Sequence, residues 1–366
     1  MRVAIVSESF LPQVNGVTNS VLRTIEHLEQ RGHTALVIAP GPGQTTYRDA
    51  EVLRSPSIPL PGYADFRLSR PWPRLRAALA DFRPDIVHLA SPAVLGAQAA
   101  YVARGLSIPV VAVYQTDLAG FAVRYGCGAL QRPLWKWIRR IHGLAERTLA
   151  PSRDAVQQLI RHGIGGVHRW ARGVDLTRFD PQRRSEALRA ELAPNGELLV
   201  GYVGRLAAEK QVDLLACLGD LPGIQLVIVG DGPRRTGLTR KLPAARFLGL
   251  QQGTELATSF ASLDVFVHPG ANETFCQAAQ AALASGVPVV AASAGGLLDL
   301  VSPGRNGLLF TPGSTEHLRG AVSELITDPD GRAVMGLAAR QSVEGRSWSV
   351  IGDQLMEHYR LAGAAS

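Results

Sequence analysis

Three side chains stand out for the chemistry their setting allows. In "GYVGRLAAEKQVD", Arg205 and Lys210 lie five residues apart, directly after an apolar run that reads as a strand. Beside the positive end of a following helix they would trap a diphosphate, Arg through its planar fork and Lys as a point charge. They could equally be solvated surface cations, with Glu209 pairing either one. Lys210 is the more telling, because only three of the 38 basic residues are Lys, at 136, 210 and 241. In "HPGANETF", Glu273 stands at the expected start of an Ala-rich helix whose first N–H groups, near Thr274 to Cys276, can hold an anion. Its carboxylate either caps that helix or accepts hydrogen bonds from two sugar hydroxyls. Asp231 lies in "LVIVGDGPRR", a Gly-x-Gly turn that lets a ligand come near the backbone. That turn lacks the third glycine of the dinucleotide fingerprint, and a structural turn accounts for it equally well.

These loops need strands to present them. The first half alternates fully apolar runs ("RVAIVSES", "ALVIAP", "DIVHLAS", "PVVAVYQT") with helical patterns near 16–31, 71–81 and 92–105, and a Pro/Gly-rich stretch spans 40–63. Such alternation is the pattern of a parallel sheet covered on both faces. A second series runs from "LLVGYVGR" through "IQLVIVGDG", "ARFLGL", "LDVFVHPG" and "VPVVAAS" to "GLLF", after the turn-rich linker "GVDLTRFDPQ". The expected class is α/β, with two Rossmann-like domains in tandem and a cleft between them. Ligands of open α/β sheets bind at the carboxyl ends of strands, which is where the polar loops fall.

Composition narrows the function classes. The 366 residues suit two or three units. No stretch approaches the ~18 apolar residues of a spanning helix. "MRVAIVSESF" reads as a buried strand rather than a signal peptide. Three cysteines at wide spacing give neither a disulfide framework nor a zinc pattern, so a reducing, cytoplasmic setting is expected. Residues 1–180 hold 22 basic against 13 acidic side chains, whereas 181–366 hold 16 against 18. The asymmetry points to an anionic surface or acceptor for the first half, unless it only reflects an Arg-rich composition. Nucleic acid is not an expected partner, because stacking platforms and basic motifs are missing.

Taken in order, "GRLAAEK", "GDGPRR", "RFLGL", "NETF" and "ASGVPVVA", with "ESFLPQVNGVTNSV", "GHTALVIAPG", "PDIVHLASP" and "RGVDLTRFDP" in the first half, resemble the retaining nucleotide-sugar glycosyltransferases of group 1. Within that family the chain is most similar to actinobacterial GDP-mannose-dependent α-mannosyltransferases. The resemblance spans nearly the whole chain. It implies the GT-B fold, two Rossmann-like domains facing across a cleft, with the C-terminal helix crossing back to the N-domain. The implied domains are 1–178, an acceptor-binding unit joined by a helix at about 347–366, and 179–346, which binds the nucleotide sugar. It assigns Arg205 and Lys210 to the donor diphosphate and Gly16 to the glycine loop near phosphate and sugar. Glu273 would meet hydroxyls of the donor sugar, with the backbone of Thr274, Phe275 and Cys276 around sugar and phosphate. Leu248 and Gly249 would read the base, and Asp231 counts among the donor-binding residues.

Two positions depart from the family pattern. Eight residues beyond Glu273 the family has a second acid, hydrogen-bonded to the donor ribose, and this chain has Ala281. Losing such charge-assisted bonds costs ~1.5–3 kcal/mol, or roughly 10- to 150-fold in donor affinity. Where many members carry a His after the fourth strand, "YQTDLAGF" offers Gln115, with Asp117 as the nearby titratable group. Either orients donor or acceptor, unless Asp117 only caps the next turn.

The implied reaction is transfer of a hexose, mannose from GDP-mannose, with retention. Cations and helix ends stabilise the departing diphosphate, and the leaving phosphate takes the acceptor's proton. No cofactor is expected and no metal is required, since the one Asp-x-Asp is "DPD" at 328–330 in an expected surface turn. Domain closure should accompany turnover. The expected acceptor is a lipid or glycolipid, with the protein cytoplasmic and peripheral at the inner face of the plasma membrane. In "LQRPLWKWIRRIHG", Trp135 and Trp137 interleave with Lys136, Arg139 and Arg140, which suits a helix on an anionic membrane. A core helix with a basic solvent face fits the same pattern. Three alternatives fit the same residues. One is a transferase using a UDP-sugar and a soluble natural-product acceptor. Another is a sugar-nucleotide epimerase using Asp117 with His88. The third is a degenerate donor-binding member, motivated by Ala281.

Overall fold

The computed structural model describes residues 1–60, 63–124 and 126–364. The chain divides into two compact units, Met1–Arg172 with Trp348–Ser366, and Gly173–Ser347. The strands of the first unit, in chain order, are β1 (Arg2–Ser7), β2 (Thr34–Pro40), β3 (Thr46–Tyr47), β4 (Ala50–Ser55), β5 (Ser57–Leu60), β6 (Tyr63–Ser69), β7 (Ile86–Ala90), β8 (Val110–Val113), β9 (Arg147–Ala150) and β10 (Val167–Arg169). Eight of them form one sheet in the order β10-β9-β8-β7-β1-β2-β4-β3, with β5 and β6 as a separate antiparallel hairpin. In that sheet only β3 runs antiparallel to its neighbour. The Pro/Gly-rich stretch therefore does more than connect. It supplies β4, where buried Ala50 and Val52 flank exposed Glu51, as a strand near a sheet edge requires.

The helices Gly16–Gln30 and Trp348–Gly363 pack on this sheet through Val21, Ile25 and Leu28 of the first and Ile351, Leu355 and Tyr359 of the second. Asp353 joins them, accepting from Arg31 at 2.6 Å and facing His27 at 3.1 Å. The C-terminal helix thus belongs to the first unit, and the indole N–H of Trp170 holds it by donating to the Ile351 carbonyl at 2.9 Å.

The second unit contains β11 (Leu198–Val203), β12 (Ile224–Val229), β13 (Arg246–Gly249), β14 (Val265–His268), β15 (Val289–Ala292) and β16 (Gly307–Phe310). All are parallel, in the order β13-β12-β11-β14-β15-β16. Their central residues are fully buried because helices cover both faces. Strand order reverses between β11 and β14, which makes their carboxyl ends the topological switch point where such sheets bind ligands. The loops leaving these two strands carry Lys210 and Glu273.

Candidate active site at the switch point of the second unit

After β11 the chain makes a short 3-10 turn, Ala208–Lys210. It is broken at Gln211, whose φ of 50° is left-handed, and a second 3-10 segment follows at Val212–Leu218. Lys210 therefore ends a tight turn and does not stand at the start of an α-helix, as expected from its spacing. The Tyr202 hydroxyl donates to the Arg205 carbonyl at 3.0 Å and fixes the loop between them. After β14, Gly270 lets the next loop lie directly on this turn. A Cβ there would come within 3.2 Å of both the Glu209 carbonyl and the Lys210 Cα.

That approach brings Glu273 to Lys210. Its Oε1 accepts from Lys210 Nζ at 2.5 Å and from His268 Nε2 at 2.9 Å. The ion-pair partner of Lys210 is thus Glu273, not the neighbouring Glu209. From the other side the loop after β15 closes in, with Gly296 N–H donating to the Glu273 carbonyl at 2.7 Å. A Cβ on Gly295 would lie 2.5 Å from that same oxygen, so a side chain has no room there. Glu273 does not cap the following helix. The helix begins at Gln277, and Cys276 caps it, its Sγ accepting from Ala279 N–H at 3.5 Å. Thr274, Phe275 and Cys276 precede the helix, the last two buried.

Electrostatics follow from this packing. Burial alone would push the Glu273 carboxyl up, but Lys210 and His268 outweigh it and hold the group at about 2. Burial also works against the His268 imidazolium, yet Cys276 and Glu273 raise it to about 9. Lys210 is likewise raised above its ordinary value against burial, chiefly by Glu273. The His268 ring lies nearly parallel to those of Tyr202 and Phe266, with centroids 5.9 and 6.4 Å away, and its bond to Glu273 completes its orientation. The result is an ionised, oriented carboxylate and an ammonium at the mouth of a parallel sheet.

Residues 14–178 match the sequence profile of Glycosyltransferase Family 4, and residues 184–342 match that of Glycosyl transferases group 1. A GDP-mannose-dependent alpha-mannosyltransferase of Mycobacterium tuberculosis is 52% identical, covering 98% of this chain and 96% of its own. The sulfoquinovosyl transferase SQD2 of Arabidopsis thaliana is 36% identical over 95% of this chain and 71% of its own. In structure, Anabaena HepE in complex with UDP superposes with a TM-score of 0.82 at 20% identity, covering 99% of this chain and 100% of that one. The chain belongs to the group 1 glycosyltransferases. Its fold is GT-B, and it is an enzyme of the hexosyltransferase class.

The other expected positions of this glycosyltransferase fall in several places. Gly16 opens the helix Gly16–Gln30, capped by Asn15, and apart from its chain neighbours and its own helix backbone no atom lies within 4 Å of where its Cβ would be. Arg205 is half-buried in the loop after β11. Asp231 is exposed and pairs with Arg235 at 3.0 Å. Gly230 and Gly232 face protein rather than an open ligand space. A Cβ on the first would collide with the Gly204 backbone, and one on the second would lie 2.5 Å from the Leu206 carbonyl. The "GDG" turn therefore packs against the Arg205 loop, which explains its glycines structurally. Leu248 and Gly249 end β13, and the Gly249 carbonyl accepts from Gly230 N–H at 2.7 Å. The "DPD" turn proves to be a helix start, with Asp328 capping Pro329–Gln341.

In the first unit, Gln115 and Asp117 both lie in the loop after β8, and Asp117 caps the helix Leu118–Arg124 by accepting from Gly120 N–H at 2.8 Å. His88 is fully buried under Tyr359, whose hydroxyl lies 2.7 Å from Nδ1, and burial holds its pKa at about 3. A group so enclosed is no acid or base for an epimerase. The helix Gln131–His142 turns Trp135, Ile138 and Ile141 inward, with Trp135 stacked on His162 at 3.6 Å. Trp135 is therefore a core residue, contrary to the membrane expectation. Lys136, Arg139 and Arg140 remain exposed, and Trp137, 37% exposed, donates to the Ala93 carbonyl at 2.9 Å.

His268, Gly270, Gly295 and Gly296 escaped the sequence reading. His268 reads as the last residue of a buried strand, and no local pattern shows that its ring meets Glu273. Glu8 also escaped. It is fully buried after β1, its Oε1 accepting from Ala93 and Gly96 N–H at 2.8 Å each, and burial raises its pKa.

Proposed function

We propose that this enzyme transfers mannose from GDP-mannose, with retention, to a lipid or glycolipid acceptor at the inner face of the membrane. The observation that carries the donor assignment is Glu273, held ionised by Lys210 and His268 at the carboxyl end of β14. The name of the Mycobacterium tuberculosis relative supports GDP-mannose as donor. In this reading the diphosphate draws on Lys210 and Arg205, and Glu273 then accepts hydrogen bonds from the mannose hydroxyls. Gly16, with open space before it, lets the phosphate and sugar approach the helix Gly16–Gln30. The backbone of Thr274, Phe275 and Cys276 surrounds the sugar, Leu248 and Gly249 meet the base, and Asp231 orders the loop beside it. Gln115 and Asp117 orient donor or acceptor.

The two protein cations supply the charge that the departing diphosphate needs, so the reading requires no metal ion or other cofactor. The leaving phosphate takes the acceptor's proton, and no protein nucleophile is invoked. Membrane contact rests on Lys136, Arg139 and Arg140. Together with Arg104 and Tyr101 they line an open surface groove, where the Arg140 guanidinium lies over the Tyr101 ring at 5.5 Å. No helix among those residues is long and apolar enough to cross a membrane, so the contact proposed is peripheral.

The test is a donor screen followed by product analysis. Thermal shift across GDP-, UDP- and ADP-sugars should single out GDP-mannose. Purified protein with GDP-mannose and diacylglycerol-based or phosphoinositide acceptors should then yield an α-linked mannolipid. Selective stabilisation by a UDP-sugar, or transfer only to soluble acceptors, would overturn the donor or the acceptor assignment respectively.

A further inference from the structure

The residues around Glu273 offer a second chemistry beyond sugar binding. One ligand atom from each of His268, Glu273 and Cys276 lies within 4.8 Å of the other two. An imidazole nitrogen, a carboxylate oxygen and a sulfur are a zinc donor set, three protein ligands with a fourth position open. In a tetrahedral zinc complex such atoms stand roughly 3.5 Å apart, so His268 Nε2 and Glu273 Oε1, now 2.9 Å apart, would part slightly around the ion while Cys276 stays within reach. Cys276 places its Sγ at the start of the helix Gln277–Ala284, where it accepts from Ala279 N–H at 3.5 Å. The His268 ring stacks against Tyr202 and Phe266, and its Nδ1 is buried without a hydrogen-bond partner. Lys210 now holds the place beside Glu273, on a flexible stem that can swing out.

We propose that His268, Glu273 and Cys276 form an inhibitory site for Zn²⁺, which displaces Lys210 from Glu273 and competes with the nucleotide-sugar donor. As zinc binds, the thiol and imidazolium protons pass to solvent, and no redox step is involved. The competition rests on the donor site described above, whereas metal binding itself does not.

The experiment uses the full chain after chelator treatment, with Co²⁺ as a spectroscopic probe and Zn²⁺ as inhibitor. Co²⁺ should give an intense near-ultraviolet thiolate-to-metal band, lost in Cys276→Ser and weakened in His268→Gln, each checked for folding by circular dichroism. A missing band in the wild type, or one that survives in Cys276→Ser, overturns the metal site. Micromolar Zn²⁺ should inhibit transfer, reversed by chelator and by raised GDP-mannose. The zinc concentration for half-inhibition of the remaining activity should rise roughly tenfold or more in Cys276→Ser. If the band is present and GDP-mannose leaves it unchanged, the metal site stands and the shared donor site fails. If GDP-mannose strengthens metal binding, inhibition by competition is overturned.

Discussion

The two units handle charge in opposite ways. At the switch point of the second, Lys210 and His268 converge on one carboxylate oxygen of Glu273. On the helix Gln131–His142 of the first, Lys136, Arg139 and Arg140 face outward over a buried Trp135, Ile138 and Ile141. A mutually paired, largely buried cluster positions atoms, and removing Glu273 would leave two cations without their counter-charge at a cost of about 3–5 kcal/mol. An exposed cationic face attracts an anionic surface at about 1 kcal/mol per charge and is screened by salt. Changes in the cluster should therefore alter chemistry and folding together, whereas changes on the helix should alter location alone.

The largest expected effect is that of Lys210→Ala, a drop of roughly 10²–10³-fold in the transfer rate with a lower melting temperature. An unchanged rate would remove Lys210 from the diphosphate. Next is His268→Gln, which should cost roughly 10- to 150-fold in donor turnover by loosening Glu273. Its pH dependence sharpens the case. The folded pKa of His268 is raised from 6.5 to about 9, so its stabilisation is complete below the lower value and is lost as pH rises through the upper one. Melting temperature should accordingly fall between these two values in the wild type, with a shallower slope in His268→Gln. Equal slopes would deny the imidazolium its role.

A smaller change is expected at Ala281, the position of the missing ribose acid. Ala281 lies in the helix Gln277–Ala284 at 5% exposure, among core alanines. Ala281→Glu should tighten GDP-mannose binding about tenfold by restoring a charge-assisted hydrogen bond. Unaltered or weaker binding by a variant that keeps the wild-type circular dichroism spectrum would show that the ribose is held elsewhere. The smallest effect belongs to the cationic helix. Arg140→Glu should weaken binding to anionic vesicles by roughly fivefold or more at low salt, with the melting temperature unmoved. Binding equal to wild type would place the membrane contact on another face.

The same contrast explains what could be seen in advance. Strands of the second sheet were legible because unbroken runs such as "LVIVG" and "DVFVH" have no other home than a covered parallel sheet. Lys210 was legible by its scarcity, but its partner was not, because Glu273 lies 63 positions away and meets it only through strand order and Gly270. The glycines of "GDG" looked like room for a ligand, although they make room for the Gly204–Leu206 backbone. On the helix Gln131–His142, composition showed the basic face, while only packing could send Trp135 inward and leave Trp137 part-exposed.

The central claim is that the donor diphosphate takes Lys210 at the switch point of the second unit. Titration calorimetry of GDP-mannose into wild-type protein and Lys210→Met tests it most directly. Binding weakened by roughly 10- to 150-fold in the variant, with the wild-type fold retained by circular dichroism, is the predicted result. Equal affinity in the two proteins would contradict it.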